Sequence, residues 1–263
     1  MTLKLTNNNY YSDEANDEYI SVSQFKDFIK CEWNALAKLA GEPEEDKTAL
    51  LVGNYVHSYF ESPEEHDRFK KENESVIFKK NGSMYAPFEQ AQSMVERLEQ
   101  DDFFKFVYQG EKEVIVTGEL YGAKWKGKID LLNKEKGYFV DLKTTREMGK
   151  RYWSDKYGRY VSFVEMYDYI LQMYIYKQLL EQEYGIEFTP YIFAVSKETP
   201  TNIQAIRIND DKYLAEEEYI QKHIQRVIDL KKGNALPEGC GKCPYCIKNK
   251  RLENFIEVDD LLG

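Results

Sequence analysis

The sequence predicts an α/β domain with a central mixed β-sheet flanked by helices and a cysteine-rich C-terminal tail. Three observations carry this. Helical apolar periodicity dominates the first hundred or so residues and returns after Val161. Short alternating or β-branched runs lie between and after those helices. Cys240, Cys243 and Cys246 then form a tight C-x₂-C-x₂-C in a Gly- and Pro-containing stretch. With 263 residues the chain is long enough for one large domain, here divided into an arm (1–20), the α/β domain (21–235) and a Cys-rich tail (236–263) packed on it.

Hydrophobic residues make up 42% and charged residues 31%, the profile of a globular protein. The net charge of −10 excludes a generic nucleic-acid coat protein but leaves room for an enzyme with a local basic channel. No run of about eighteen or more apolar residues predicts a membrane span. The N-terminus lacks a basic-then-apolar leader pattern, so a cytoplasmic location is expected, where structural disulfides are not.

Residues 1–18 are polar and read as a mobile arm or a short edge strand. Ser23 is a candidate N-cap for a helix running to about Leu39, ended by Gly41-Glu42-Pro43. A second amphipathic helix covers Thr48–Glu61 and carries His57. Ala86–Gln100 is a third, with Asp101–Tyr108 continuing it or starting a fourth. Glu113–Glu119 alternates as a strand, and Gly122 marks a turn. Ile129–Leu132 and Tyr138–Leu142 flank Asn133–Gly137 and form a β-hairpin. Arg146–Arg159 is a basic, aromatic loop, either a clamp on a phosphate backbone through residues such as Arg146, Lys150 and Arg151 or a solvated connection. Val161–Tyr184 is one long helix, Thr189–Ser196 and Ile203–Ile208 are strands, and Asp210–Lys231 is a final long helix.

The hairpin carries the candidate chemistry. Side chains alternate along a strand, so Asp141 and Lys143 share a face, and Asp130 on the neighbouring strand reaches it if the register allows. Two carboxylates and a lysine suit a divalent-metal phosphodiesterase: the carboxylates hold a hard cation and the lysine neutralises phosphate or orients water. Cys240, Cys243 and Cys246, with Cys31 as the remaining cysteine, suit one thiolate metal centre joining the first helix to the tail; three unliganded thiols are the alternative.

The ordered set Gly53-x-x-x-His57, Glu113, Gly127-x-x-Asp130, Asp141-Leu142-Lys143 and Gln172-x-x-x-Tyr176 resembles the PD-(D/E)XK nuclease superfamily. The nearest branch is that of RecB-type nuclease domains and RecE-like phage exonucleases, and the similarity runs from about Ser21 to Lys250. It implies a restriction-endonuclease-like core. It also implies Mg²⁺ or Mn²⁺ held by Asp130, Asp141, the Leu142 carbonyl and His57, with Lys143 catalytic. Glu113 matches an accessory acid, with Glu119 as its competitor, and Gln172 and Tyr176 match a motif lining the DNA site. One departure is that Asp141 stands where many members carry Glu.

The implied activity is hydrolysis of DNA from duplex ends, 5′ to 3′, in phage-type recombination and repair inside a bacterial host. Its implied partners are duplex ends, single strands and a single-strand annealing protein; a homo-oligomer stays open. The cysteines resemble the [4Fe–4S] staple of AddB-type and CRISPR-adaptation nucleases, and Zn²⁺ remains the alternative. Two other readings are a CRISPR-adaptation-like or defence nuclease and a non-catalytic DNA-binding metal protein. The intact Asp130, Asp141 and Lys143 argue against the last.

Overall fold

The structure, a computed structural model, describes residues 3–42, 48–252, 254–255 and 257–259. The segment read as an arm or edge strand instead folds into helix α1 (Asp13–Glu18), capped by the Ser12 hydroxyl, and leads into the two-residue strand β1 (Ile20–Ser21). Two lysines fasten it from below. Lys126 Nζ donates to Tyr10 O at 2.6 Å and to Asn16 Oδ1 at 2.8 Å. Lys231 Nζ donates to Asn16 O and Tyr19 O at 2.5 and 2.7 Å.

The helix expected from Ser23 to Leu39 is two helices, α2 (Val22–Lys30) and α3 (Glu32–Leu39). They part at Cys31, whose backbone is extended (φ −168°, ψ 111°). The N-cap is Ser21, which accepts from the Gln24 N–H, rather than Ser23. Gly41 follows α3 with φ +85°, and Pro43 of the expected stop signal lies outside the described residues. Then come α4 (Thr48–Glu61), α5 (Pro63–Glu72), α6 (Glu74–Ile77) and α7 (Ala86–Glu99). Asp101 caps a separate α8 (Asp102–Val107).

The expected meander follows as β2 (Glu111–Leu120), β3 (Ala123–Asn133) and β4 (Tyr138–Thr145). Tyr121 and Gly122 both take positive φ, the signature of a two-residue type I′ turn between β2 and β3. The segment expected as a basic loop holds a small separate hairpin, β5 (Tyr152–Ser154) and β6 (Arg159–Val161). The long helix expected from Val161 is α9 (Phe163–Met166) and α10 (Tyr169–Tyr184), broken at Asp168, which sits at φ +53° with Lys156 Nζ 2.7 Å away. The chain ends through β7 (Thr189–Ser196), β8 (Ile203–Arg207), α11 (Asp211–Lys231) and α12 (Pro244–Lys248). The unexpected breaks, one residue at Cys31 and two at Tyr167–Asp168, lie inside unbroken helical periodicity, which a period cannot register.

The sheet is mixed, ordered β1-β3-β4-β7-β8, with β2 along the other edge of β3. β4 and β7 run parallel over their full lengths, and β2, β3 and β4 are successive antiparallel neighbours. One face packs on α2, α10 and α11 through residues such as Phe25, Trp125, Phe139, Ile175 and Ile224. The other packs on α4, α7 and α8 through Val56, Met94, Phe104, Val140 and Leu142.

The feature that positions the site is a gap in this sheet. On one edge of β3, β1 pairs only with Trp125 and Lys126, and β4 only with Leu131–Asn133. Gly127–Asp130 are thus unpaired on that edge. Here the alternation also slips: Ile129 packs in the first core, Leu131 in the second and Leu132 again in the first. Across the ladder, pairing skips from Lys112↔Leu131 to Val114↔Ile129, and the intervening Glu113 sits at φ +53°.

Candidate active site

The slip gathers residues from three directions. Glu113 from β2, Asp130 from β3 and His57 from α4 bring ligand atoms within 4.8 Å of one another. Asp130 Oδ2 accepts the Leu142 N–H at 2.7 Å across the splay and lies 3.4 Å from His57 Nδ1. A strand residue sends its N–H and C=O out of the same edge, so the Leu142 carbonyl faces the same gap. Asp141 projects beside Lys143, with Lys143 Nζ 2.7 Å from Asp141 Oδ2, and Gln172 Nε2 donates to Asp141 Oδ1 at 2.9 Å.

Electrostatically, the three carboxylates differ. Burial works against the Asp130 anion, but His57, Lys143 and the Leu142 N–H overcome it and hold Asp130 below the usual carboxylate range. Burial pushes Asp141 up to about 6, with Lys143 opposing. Burial and then the Asp130 charge push Glu113 up to about 7, against Lys128, whose ammonium lies 2.7 Å away. For His57, burial is again the larger effect and lowers, but Asp130 reverses it, leaving the imidazole above its ordinary value. Asp141 is buried, and the close partner of its Oδ2 is the Lys143 ammonium at 2.7 Å.

All of these residues line one cleft of about 800 Å³, with Tyr10, Tyr11, Lys126, Lys128 and residues of α2 and α3 on its walls. Its lining has Lys38, Arg68, Lys126, Lys128 and Lys143 against Asp27, Glu61, Glu65, Glu72, Glu113, Asp130 and Asp141. That is not a basic channel; cations are needed before a polyanion is favoured there. The donor set fits a hard divalent ion: imidazole and carboxylate ligands lie in reach of one another, with the buried Asp141 carboxylate lining the same cleft.

Of the residues singled out in the sequence, Glu113 rather than Glu119 reaches the site; Glu119 is exposed. Gln172 and Tyr176 both line the cleft, and Tyr176 packs so closely on Gly127 that a Cβ there would stand 2.7 Å from Cε1. Gly53 is not needed for space, since its Cβ would meet only Thr144 Oγ1 at 3.6 Å. Arg146, Lys150 and Arg151 are exposed and do not line the cleft. Two residues were missed. Tyr169 places its ring 4.6 Å from Lys143 Nζ, and Lys128 pairs with Glu113. Periodicity could have found both: Tyr169 is three before Gln172 on its helix, and Lys128 two before Asp130 on its strand.

The four cysteines meet elsewhere, with all four sulfurs within 4.8 Å of one another and none lining the cleft.

Strand-borne carboxylates and a lysine gathered at a splayed antiparallel pair, over a mixed sheet with helices on both faces, define a PD-(D/E)XK-type nuclease fold. Residues 21–249 match the model of the PDDEXK-like domain of unknown function (DUF3799), and the chain belongs to that family and to the PD-(D/E)XK nuclease superfamily. It is similar to a crystal structure from Eubacterium rectale described as a "Putative exonuclease", with 37% identity, a TM-score of 0.91, and coverage of 99% of this chain and 98% of that one. The crystal structure of SSO0001 aligns over 86% of this chain and 93% of its own at 17% identity and a TM-score of 0.33, too low to bear on the fold. No curated protein matches the chain.

Proposed function

We propose that this protein is a divalent-metal-dependent deoxyribonuclease that degrades DNA from duplex ends. One observation carries the reading: His57, Glu113, Asp130, Asp141 and Lys143, from four separate elements, converge at a break in an otherwise regular sheet. The similar "Putative exonuclease" from Eubacterium rectale supports action at ends. The 5′-to-3′ direction, a recombination role and an annealing partner rest on the resemblance to RecE-like enzymes.

Asp130, Asp141, the Leu142 carbonyl and His57 would hold Mg²⁺ or Mn²⁺, and Glu113 is placed to join them. When bound, the ion supplies positive charge at the scissile phosphate and acidifies water there. The chain does the rest. The Leu142 N–H orients Asp130, and Gln172 orients Asp141, so that neither must reorganise. Lys143, packed on the Tyr169 ring, presents its ammonium where a phosphate oxygen gains negative charge. Burial and the Asp130 charge raise Glu113 to about 7, so it would join a cation in its ionised form. We propose that Arg146, Lys150 and Arg151 contact the backbone outside the cleft, and that residues 21–235 carry catalysis while 236–263 fasten the fold.

The test is the purified chain with Mg²⁺, Mn²⁺ or EDTA on end-labelled linear duplex, closed circular duplex and single strands. Metal-dependent release of label from linear duplex is expected, with the closed circle resistant. Rapid cutting of the circle means an endonuclease, and no cutting of any substrate with either metal defeats the reading.

A further inference from the structure

We infer that Cys31, Cys240, Cys243 and Cys246 hold a single zinc ion as a tetrathiolate, and that the site does not fit the [4Fe–4S] cluster that the family resemblance implies. Cys31 Sγ lies 3.5 Å from Cys246 Sγ, Cys240 Sγ lies 4.0 Å from it, and all four sulfurs fall within 4.8 Å of one another. Four thiolates at the Zn–S distance of about 2.3 Å form a tetrahedron whose sulfurs are about 3.8 Å apart. In a cubane each thiolate takes a different iron, at a different corner, so the ligand sulfurs stand farther apart than when they share one ion. The quartet has the spacing of the first arrangement. A disulfide is excluded as the cause of closeness, because all four are free and 3.5 Å is far beyond the bonded distance of about 2.05 Å.

The backbone is built for it. Gly241 takes φ +73° directly after Cys240, turning the chain so that the Cys243 N–H donates to Cys240 Sγ at 3.3 Å. The Cys246 N–H donates to Cys243 Sγ at 3.4 Å. Peptide N–H groups aimed at sulfur favour thiolate over thiol, and soft thiolates select zinc over the hard cation that the catalytic cleft suits.

The fourth ligand explains the break between α2 and α3. An uninterrupted helix there would have no extended residue at 31; the bend at Cys31 places its thiol in the quartet. The strap leading to Cys240 is laid against the start of α3. Trp33 Nε1 donates to Pro237 O at 2.8 Å, the Glu238 N–H donates to Glu32 Oε2 at 2.7 Å, and Gly239 lies flat on the Trp33 ring, where a Cβ would stand 2.5 Å away. Because α2 and α3 contribute Gln24, Asp27, Phe28 and Lys38 to the cleft, the ion pins the bend behind one cleft wall without entering the cleft.

The full chain, purified anaerobically, is assayed for zinc, iron and acid-labile sulfide. Apo protein is then offered Zn²⁺ alone, Co²⁺ alone, or Fe²⁺ with sulfide. One zinc per chain, no labile sulfide, intense visible d–d bands of tetrahedral thiolate cobalt, and no brown chromophore with Fe²⁺ and sulfide are expected. Asp141→Asn should keep the zinc, separating this site from the catalytic one. Cys246→Ser should lose it; should that variant not fold, Cys240→His, which still offers a zinc ligand, should keep one cobalt with its bands shifted from a four-sulfur to a three-sulfur set. Iron with sulfide, one iron without sulfide, disulfide-linked peptides, no metal at all, or unshifted cobalt bands in Cys240→His would each overturn the assignment. None of these readouts depends on DNA cleavage, so the outcome is separate from that of the nuclease reading.

Discussion

Two groups of buried carboxylates in this protein face opposite electrostatic circumstances. Glu165, the first-turn acid of α9, is fully answered. It closes a capping box with Ser162, and its carboxylate receives Arg159 at 2.7 Å and Lys212 at 2.9 Å. Burial acts against its charge, but those hydrogen bonds prevail and hold it at about 2. Asp141 is the more deeply buried, 2% exposed against 9%, and burial lifts its pKa to about 6 although the Lys143 ammonium stands 2.7 Å away. Glu113, close to Asp130, is lifted to about 7. A satisfied carboxylate knits β6, α9 and α11 together. Carboxylates held above their ordinary pKa by burial and by one another cost stability, which is what the proposed cation site predicts. The difference sets a structural acid apart from a proposed catalytic one without reference to any motif.

Exchanging each acid for its amide gives the largest and most decisive contrast. Asp141→Asn should lower DNA cleavage on the order of 10³-fold, about 4 kcal/mol of barrier, and leave metal-free stability unchanged or slightly higher. Glu165→Gln should do the reverse, costing about 1–2 kcal/mol of stability with cleavage within about twofold of wild type. Asp130→Ala and Lys143→Ala should also abolish cleavage. Thermal melts in EDTA beside rates in Mg²⁺ decide it; if Asp141→Asn cleaves normally, the comparison collapses.

His57→Ala should be milder, about 10–100-fold in rate, with a stability change under about 1 kcal/mol because Asp130 keeps the Leu142 N–H. A variant that melts much earlier but turns over normally makes His57 a packing residue.

Glycines test the geometry. Gly127→Ala drives a Cβ into the Tyr176 ring and should cost about 1–3 kcal/mol, with cleavage falling as the splay closes. In a double-mutant cycle Gly127→Ala should cost much less in the Tyr176→Ala background than in the wild type, although Tyr176→Ala itself destabilises by opening a cavity. Gly53→Ala, in a helix with room for a methyl group, should be neutral or stabilise by up to about 1 kcal/mol. Equal damage at both positions would mean that the Gly127 contact is not what fixes the site.

Much of this was legible in the sequence. Alternation placed Asp141 and Lys143 on one face, the hairpin brought Asp130 opposite, and helical spacing paired Gln172 with Tyr176, because each of those relations is local. Four features were not. The breaks at Cys31 and at Asp168 lie inside sequence that is helical on both sides and meet partners outside those helices, the C-terminal cysteines and Lys156. The fastening of residues 3–18 depends on Lys126 and Lys231, more than a hundred residues away. The slip at Asp130 also breaks the strand period that found the hairpin, so the rule fails at the residue that matters most.

The last contrast is in the pH dependence of stability, and its sign discriminates. Glu165 has a folded pKa of about 2, below the unfolded value of about 4.3. The unfolded chain therefore takes up protons first, so the contribution of Glu165 is complete above about pH 4.5 and is lost as pH falls toward about 2. The groups that face it, Arg159, Lys212 and the Ser162 N–H, keep their donor character throughout that window. Asp141 runs the other way. Its folded pKa of about 6 lies above the unfolded value of about 3.9, so the folded chain holds the extra proton and stability falls as pH rises between them. In EDTA, the melting-temperature gap between wild type and Glu165→Gln should narrow from pH 5 to pH 3 (roughly the window those values set). The gap by which Asp141→Asn exceeds wild type should instead open as pH rises from about 4 to about 6. Saturating Mg²⁺ should erase the second gap and leave the first, since only Asp141 is among the proposed cation ligands. Parallel slopes for the two variants, or a Glu165→Gln gap that widens in acid, would mean that the two clusters are electrostatically alike.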